Sequence, residues 1–256
     1  MPVFSIIIPC YNSEEFIREN IYSVVNQSFK DFEIIVIDNV SLDNTREIIE
    51  SFNDKRIQIV SEPDSGIYDA MNKGLSLING ELVHILNSDD KYSSNMVLQN
   101  IFDDFRLFDV ELIYTGIRYI SRSNCEILHT WMPSCYTKLG LFLGWHPPHP
   151  GVFVHSKVYR RLGYYDTNYG VTGDYEWLLR VFNKGNARSK LLAQICVEMR
   201  SGGASDKDLL TKLSGLKSVY DIHYKVYKSS IFAVLAVILR IATKLIRKLN
   251  GSLRTE

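Results

Sequence analysis

The sequence predicts an α/β fold, a mostly parallel sheet flanked by helices, with an amphipathic helical appendage at its C-terminal end. Three observations predict it. Short β-branched runs alternate with stretches of helical period as far as Asp90, polar and acidic residues follow each run, and a basic, apolar stretch comes late in the chain.

Residues 4–8 form a continuous apolar run closed by Pro9 and read as a buried parallel strand. Residues 13–27 set Ile17, Ile21, Val24 and Val25 at i, i+4, i+7 and i+8, an amphipathic helix with Ser13 as its cap. A second strand over 32–37 is followed by a polar turn and a short helix over 45–52. A third strand over 56–61 precedes a helix over 67–78, ended near Gly80, and a fourth strand over 82–86. Beyond Asp90 the alternation loosens. A helix over 94–105 and a strand over 112–116 lead into an irregular, aromatic-rich segment from Trp131 to Tyr169. A helix over 175–184, a strand over 191–197 and a long helix over 206–227 come after it. No repeat or low-complexity linker interrupts the chain, so one α/β domain over 1–205 and a helical region over 206–256 are expected.

Lys+Arg and Asp+Glu are both 29, which gives no basic field for nucleic acid. The four cysteines lack zinc-ligand spacing and predict neither a structural metal nor a disulfide framework. The first residues have no basic stretch before the apolar run, so a signal peptide is not expected and the cytoplasm is the default compartment.

Open parallel sheets bind ligands beyond the carboxyl ends of their strands. Pro9, Tyr11 and Asn12 follow the first strand, Asp38 the second, Glu62 and Asp64 the third, and Asn87, Asp89 and Asp90 the fourth. An Asp after a strand also serves as a turn former or helix cap. The adjacent Asp89 and Asp90, however, repel each other unless a cation or hydroxyl groups are bound, and a hard dication such as Mg²⁺ or Mn²⁺ fits oxygen ligands. Neither GxxxxGK[ST] nor GxGxxG is present, which argues against a P-loop or nicotinamide-binding enzyme.

Several segments in this order resemble glycosyltransferase family 2, which has the GT-A (Rossmann-like) fold. They are Ser5-Ile-Ile-Ile-Pro-Cys-Tyr-Asn12, the stretch from Gln27 to Asp38, Ser41-Leu-Asp-Asn-Thr45, the stretch from Glu62 to Gly74, Asn87-Ser-Asp-Asp90, and later the stretch from Gly173 to Arg180. The resemblance covers roughly the first 200 residues. It implies that Pro9, Tyr11 and Asp38 shape the nucleotide-base site, and that Asp64, Gly66, Asn72 and Lys73 lie near the nucleotide or diphosphate. Asp89 would bind ribose or assist the metal, Asp90 would hold Mn²⁺ or Mg²⁺, and Asp174 would be the general base. His149 is a further candidate metal ligand, set against a structural role for a histidine in a rigid turn. Asn39 and Asn87 depart from the pattern, standing where many relatives carry Asp.

The implied activity is inverting transfer of one sugar from a nucleotide sugar, UDP-sugars being the family's commonest donors, to a lipid-linked or saccharide acceptor in polysaccharide biosynthesis. QxxRW, common in the processive synthases, is absent. Trp131, Trp145 and Tyr165 are candidates for a sugar-stacking wall or for core, and residues 202–205 for a lid. Arg240, Lys244, Arg247 and Lys248 fall on one helical stripe beside apolar residues too few to span a bilayer, so an in-plane helix on an anionic membrane surface is expected at the cytoplasmic face. Two other readings stay open: a sugar nucleotidyltransferase, disfavoured by the lack of a Gly-rich basic loop after the first strand, and a non-catalytic scaffold.

Overall fold

The computed structural model describes residues 1–142, 144–202 and 209–252, with the backbone alone at 209–213, 240 and 243–252. The first four strands are β1 (Phe4–Cys10), β2 (Phe32–Asp38), β3 (Ile57–Ser61) and β4 (Leu82–Ile85). Between them run α1 (Ile17–Val25), α2 (Thr45–Glu50) and α3 (Ile67–Leu77). The β1–β2, β2–β3 and β1–β4 pairs are all parallel. Then follow β5 (Lys91–Tyr92), α4 (Val97–Leu107), β6 (Leu112–Ile120), β7 (Ile127–Trp131), α5 (Lys138–Phe142), β8 (Val152–His155), α6 (Ser156–Leu162), α7 (Gly173–Asn183), β9 (Ser189–Arg200), α8 (Leu209–Tyr227) and α9 (Ser230–Ser252).

Among the described residues the strands form one sheet in the order β3-β2-β1-β4-β8-β6-β9-β5, with β7 on β6. The parallel pairing expected for most of the sheet is found in the first four strands and in β6 with β9. β8 is antiparallel to both its neighbours, and β5 and β7 also pair antiparallel. These three strands escape sequence reading for physical reasons. β5 has two residues, β7 is mostly exposed and so has no apolar face, and β8 lies inside the Pro- and aromatic-rich segment.

Pro9 does not end β1. The strand continues to Cys10 because Pro9 pairs with Ile37 of β2 on one side only. On the other side β4 is in register only as far as Ile7, so the missing proline N–H breaks no ladder there. Past that point β1 and β4 no longer pair, and a crevice opens where the strand order reverses, the usual ligand position in open α/β sheets. Ser13 does not cap α1 either. Its carbonyl accepts from the N–H groups of Phe16 and Ile17 in a turn before the helix, and its hydroxyl meets Ser88 Oγ at 2.9 Å.

The sheet is buried on both faces. Ile6, Ile8, Ile34 and Val36 pack against α1 and α4, while Ile7, Val83, Leu112 and Val154 pack against α3 and α7. Trp131, Trp145 and Tyr165, proposed for a sugar wall, belong to these cores; Trp145 packs edge-on to Tyr114 and Phe182. His84 of β4 is fully buried and stacked on Phe153 at 4.0 Å between ring centroids. Burial pushes its imidazole down to about 3, so it is neutral. Its Nε2 meets the Pro150 carbonyl at 2.9 Å and therefore carries the proton, fixing the His149–Gly151 turn.

α8 packs into the main core through Val219 and Ile222, and His223 Nε2 meets Tyr175 OH at 2.6 Å. α9 docks through the buried Ala233 and Ala236, leaving Ile231, Val234, Leu235, Ile238 and Ile241 exposed. The basic side chains at 240, 244, 247 and 248, and most of the lid segment at 203–205, lie outside the described residues.

Candidate active site

A cleft of about 570 Å³ opens at the β1–β4 crevice. The segment from Asn87 to Asp90, which follows β4, forms part of it and is held mainly through its backbone. The amide of Asn20, buried on α1, donates to the carbonyls of both Asn87 and Asp90 at 2.8 Å. Arg200, only 2% exposed at the end of β9, donates from Nη1 to the Asp89 carbonyl at 2.9 Å and from Nη2 to Glu19 at 2.9 Å. Its guanidinium lies 4.3 Å from the Phe16 ring centroid.

These clamps separate the two adjacent carboxylates. Asp89 lines the cleft, with one oxygen 3.7 Å from Arg122 Nη1. Asp90 points inward, is 1% exposed, and accepts from the Asn87 amide at 3.1 Å and the Arg200 N–H at 3.3 Å. Burial, reinforced by the neighbouring Asp89 charge, pushes the Asp90 carboxyl well above the usual range. Asp90, expected as the main metal ligand, is buried and does not line the cleft, whereas Asp89 does. The departure at Asn87 is explained by the same contact. An amide there donates to Asp90, whereas Asp would crowd a third carboxylate against it.

On the β1–β2 side, Tyr11 is 55% exposed at the rim. Asp38, expected at the nucleotide base, is buried and does not line the cleft. It accepts from the Ser41 N–H and hydroxyl and from Ser61 Oγ at 2.7 Å, and so ties together the turns after β2 and β3. Ser41 Oγ in turn accepts from the Asn12 N–H at 2.9 Å. Asn39 lines the cleft, and its side-chain oxygen accepts from the Asp64 N–H at 2.8 Å. Gly66, with φ of 129°, adopts a backbone open to glycine as α3 begins, and its N–H donates to Asp64 Oδ1. Cys10 also lines the cleft; burial and Asp38 keep its thiol protonated, which excludes a thiolate nucleophile there.

Asp174 lines the cleft in the first turn of α7. Its Oδ1 accepts from Tyr68 OH at 3.1 Å and from the Tyr175 N–H at 2.7 Å. Burial, with Asp174 second, holds the Tyr68 phenol protonated. His149 also lines the cleft, its Nε2 2.8 Å from Tyr165 OH. Burial lowers its imidazole below the ordinary value although Asp174 opposes this.

The cleft therefore brings together Pro9, Tyr11, Asp64, Gly66, Asp89, His149 and Asp174. Asn72 and Lys73 do not line it. Asn72 is taken up by the backbone of Tyr165, and Lys73 by the Pro63 carbonyl and Glu62. Arg122, Phe16 and Met199 line the cleft and went unread, because they arrive from the β6–β7 hairpin, a turn before α1 and a distant strand.

No group of three or more His, Cys, Asp or Glu residues able to hold a metal is found among the described residues. The cleft offers the Asp89 carboxylate, and beside it the Asn87 side-chain oxygen is buried without a hydrogen-bond partner among the described residues. Such a sparse oxygen set fits a hard dication that takes most of its ligands from substrate phosphates and water.

The Glycosyl transferase family 2 model matches residues 5–165. The chain belongs to glycosyltransferase family 2. It is 31% identical over 183 residues to an uncharacterized glycosyltransferase of Rickettsia typhi, covering 68% of this chain and 57% of that one. With the putative teichuronic acid biosynthesis glycosyltransferase TuaG of Bacillus subtilis it shares 38% over 97 residues, 37% of this chain and 38% of that one. The match thus spans little more than half the length of one relative and less of the other. Among solved structures, S. aureus TarS 1-349 in complex with UDP-GlcNAc superposes with a TM-score of 0.73 at 18% identity, covering 99% of this chain and 76% of that one. The mannosyltransferase PcManGT of Pyrobaculum calidifontis, in complex with GDP-Man and Mn²⁺, gives 0.65 at 17%, covering 94% and 70%. The fold is GT-A.

Asn20→Ala is expected to lower unfolding free energy by about 1–3 kcal/mol, since two buried carbonyls lose their donor. Urea denaturation checks this, and unchanged stability would show that the segment is held by other means.

Proposed function

We propose that this glycosyltransferase moves a single sugar from a nucleotide sugar, a UDP-sugar in the first instance, to a lipid-linked saccharide acceptor in cell-surface polysaccharide synthesis, with inversion. One observation carries the reading: Asp89 and Asp174, distant in sequence, line one cleft at the strand-order reversal. The UDP-GlcNAc complex of TarS and the teichuronic acid biosynthesis named for TuaG support donor and pathway class.

Tyr11 offers its exposed ring to the base, and Asp64 and Gly66 border the nucleotide. Asp38 acts at one remove, by fixing the turn that carries Asn12. Asn72 and Lys73 act in the same indirect way, by tying the middle of α3 to the Tyr165 backbone and to Pro63 and Glu62. Asp89, with Asn87 beside it, would hold Mn²⁺ or Mg²⁺. When bound, such a cation neutralises charge growing on the departing diphosphate. Asp174 accepts the acceptor hydroxyl's proton as the oxygen attacks the anomeric carbon and the bond to the diphosphate breaks. One displacement inverts that centre. His149, neutral and held by Tyr165, serves as a cleft wall.

A mass-spectrometric donor screen, with membrane extract as acceptor source, tests the reading. Turnover of a nucleotide sugar is expected, and Asp174→Asn should lower it about 10²–10⁴-fold while nucleotide binding persists. Binding without turnover by the unsubstituted chain would favour a scaffold, and full activity of Asp174→Asn would remove it as base.

The acceptor's lipid is suggested by α9. No helix among the described residues is long and apolar enough to cross a membrane. The exposed row Ile231, Val234, Leu235, Ile238 and Ile241, continued in sequence by Arg240, Lys244, Arg247 and Lys248, suits an in-plane helix on the anionic inner face of the cell membrane. The whole chain is expected to float with phosphatidylglycerol vesicles and to lose this on Val234→Asp with Ile238→Asp. Equal flotation of the double variant would contradict the assignment.

A further inference from the structure

We propose that Tyr68 is a positioning residue for Asp174, fixing which carboxylate oxygen meets the acceptor, and that Asn72, one helical turn further along α3, locks Tyr68 in place. The inference rests on the reading of Asp174 as general base.

The geometry is specific. Asp174 Oδ1 accepts two hydrogen bonds, from Tyr68 OH at 3.1 Å and from the Tyr175 N–H at 2.7 Å. With Oδ1 engaged twice, Oδ2 is the oxygen left to take a proton from a hydroxyl in the cleft. Two donors on one oxygen also fix the orientation of the carboxylate plane.

The Tyr68 ring has little room to leave. It is 8% exposed and packs 5.6 Å from the Tyr165 ring centroid. On its other side stands Gly173, where an added Cβ would come within 2.9 Å of the ring. The absent side chain is what lets the start of α7 close on α3. Residues i and i+4 share a helix face, and Asn72 uses that position to grip Tyr165 from both sides. Its Nδ2 donates to the Tyr165 carbonyl and its Oδ1 accepts the Tyr165 N–H, each at 2.9 Å. Tyr165 OH then meets His149 Nε2 at 2.8 Å and Tyr159 OH at 3.1 Å.

The titratable groups facing Asp174 are therefore Tyr68 from α3, Tyr165 from the loop after α6 and His149 from the turn before β8. Burial keeps both phenols protonated and the imidazole neutral. Tyr68, as a neutral donor, is the side chain among them that bonds the carboxylate. This gives a reason for the Tyr68-Asp-Ala-Met-Asn72 spacing, of which the family resemblance placed only Asn72, near the nucleotide or diphosphate.

The test uses the full chain with selectively ¹³C-labelled aspartate, the Asp174 carboxyl resonance being assigned by its loss in Asp174→Asn. In Tyr68→Phe, which keeps the ring and its packing, that resonance is expected to change its chemical shift as the carboxylate loses a donor. With any donor that turns over, kcat should fall about tenfold or more and KM for the donor should hold. A lowered Tm with an unmoved resonance and unchanged kcat would reduce Tyr68 to packing and overturn the inference. Full activity of Asp174→Asn would instead sink the reading of Asp174 as base, whatever Tyr68→Phe gave.

Discussion

The cleft depends on how the chain deals with two carboxylates in succession at the end of a strand. Side by side on a flexible turn, Asp89 and Asp90 would repel each other and share whatever cation was near. Here the turn is not flexible. Asn20 holds the carbonyls at its two ends, Arg200 holds the carbonyl between them, and Ser13 meets Ser88. The buried guanidinium is compensated in turn by Glu19 and the face of Phe16. A buried polar network surrounding a turn fixes that turn's conformation closely, even though Asn20 Oδ1, Asn87 Oδ1 and Arg200 Nε have no hydrogen-bond partner among the described residues. Its product is asymmetry: one carboxyl faces inward to the Asn87 amide and the other faces the cleft.

The same logic recurs around the rim. Asp38 is not at the surface to meet a ligand but beneath it, receiving Ser41 and Ser61 so that the ends of β2 and β3 keep a fixed relation to β1. Asn72 and Lys73 do this for α3, at the Tyr165 loop and at Pro63. Polar side chains that look like ligand contacts in one dimension are, in three, the means by which a few cleft-facing groups are held. Tyr11, Asp64, Asp89 and Asp174 form the cleft-facing set, and each rests on at least one buried neighbour or on the sheet itself.

Much of this was legible in the sequence. Short, β-branched apolar runs bounded by turns read as strands, and helical periods between them imply parallel crossovers, so the first four strands and the location of the cleft followed from pattern. What lay beyond was legible in outline only. β5 and β8 draw their stability from neighbours rather than from local composition, and β7 has an exposed face with no alternation to read. At the site, sequence order named the right segments and could not say which member of a pair faces outward. Asp89 and Asp90 differ by one residue and therefore by one side of the chain, a choice made by Asn20 and Arg200 from elsewhere. Arg122 and Met199 carried no local signal, since nothing in the hairpin or in β9 marks their approach to the β1–β4 crevice.

The central claim is that the first of the two adjacent carboxylates, not the second, meets a cation shared with a nucleoside diphosphate. Crystals of the chain soaked with UDP and MnCl₂, with data collected at the manganese absorption edge, test it most directly. The account predicts an anomalous peak bonded to a carboxylate oxygen of Asp89 and to the diphosphate, with Asp90 still turned toward Asn87. A manganese peak on Asp90, or UDP bound outside the β1–β4 crevice, would contradict it.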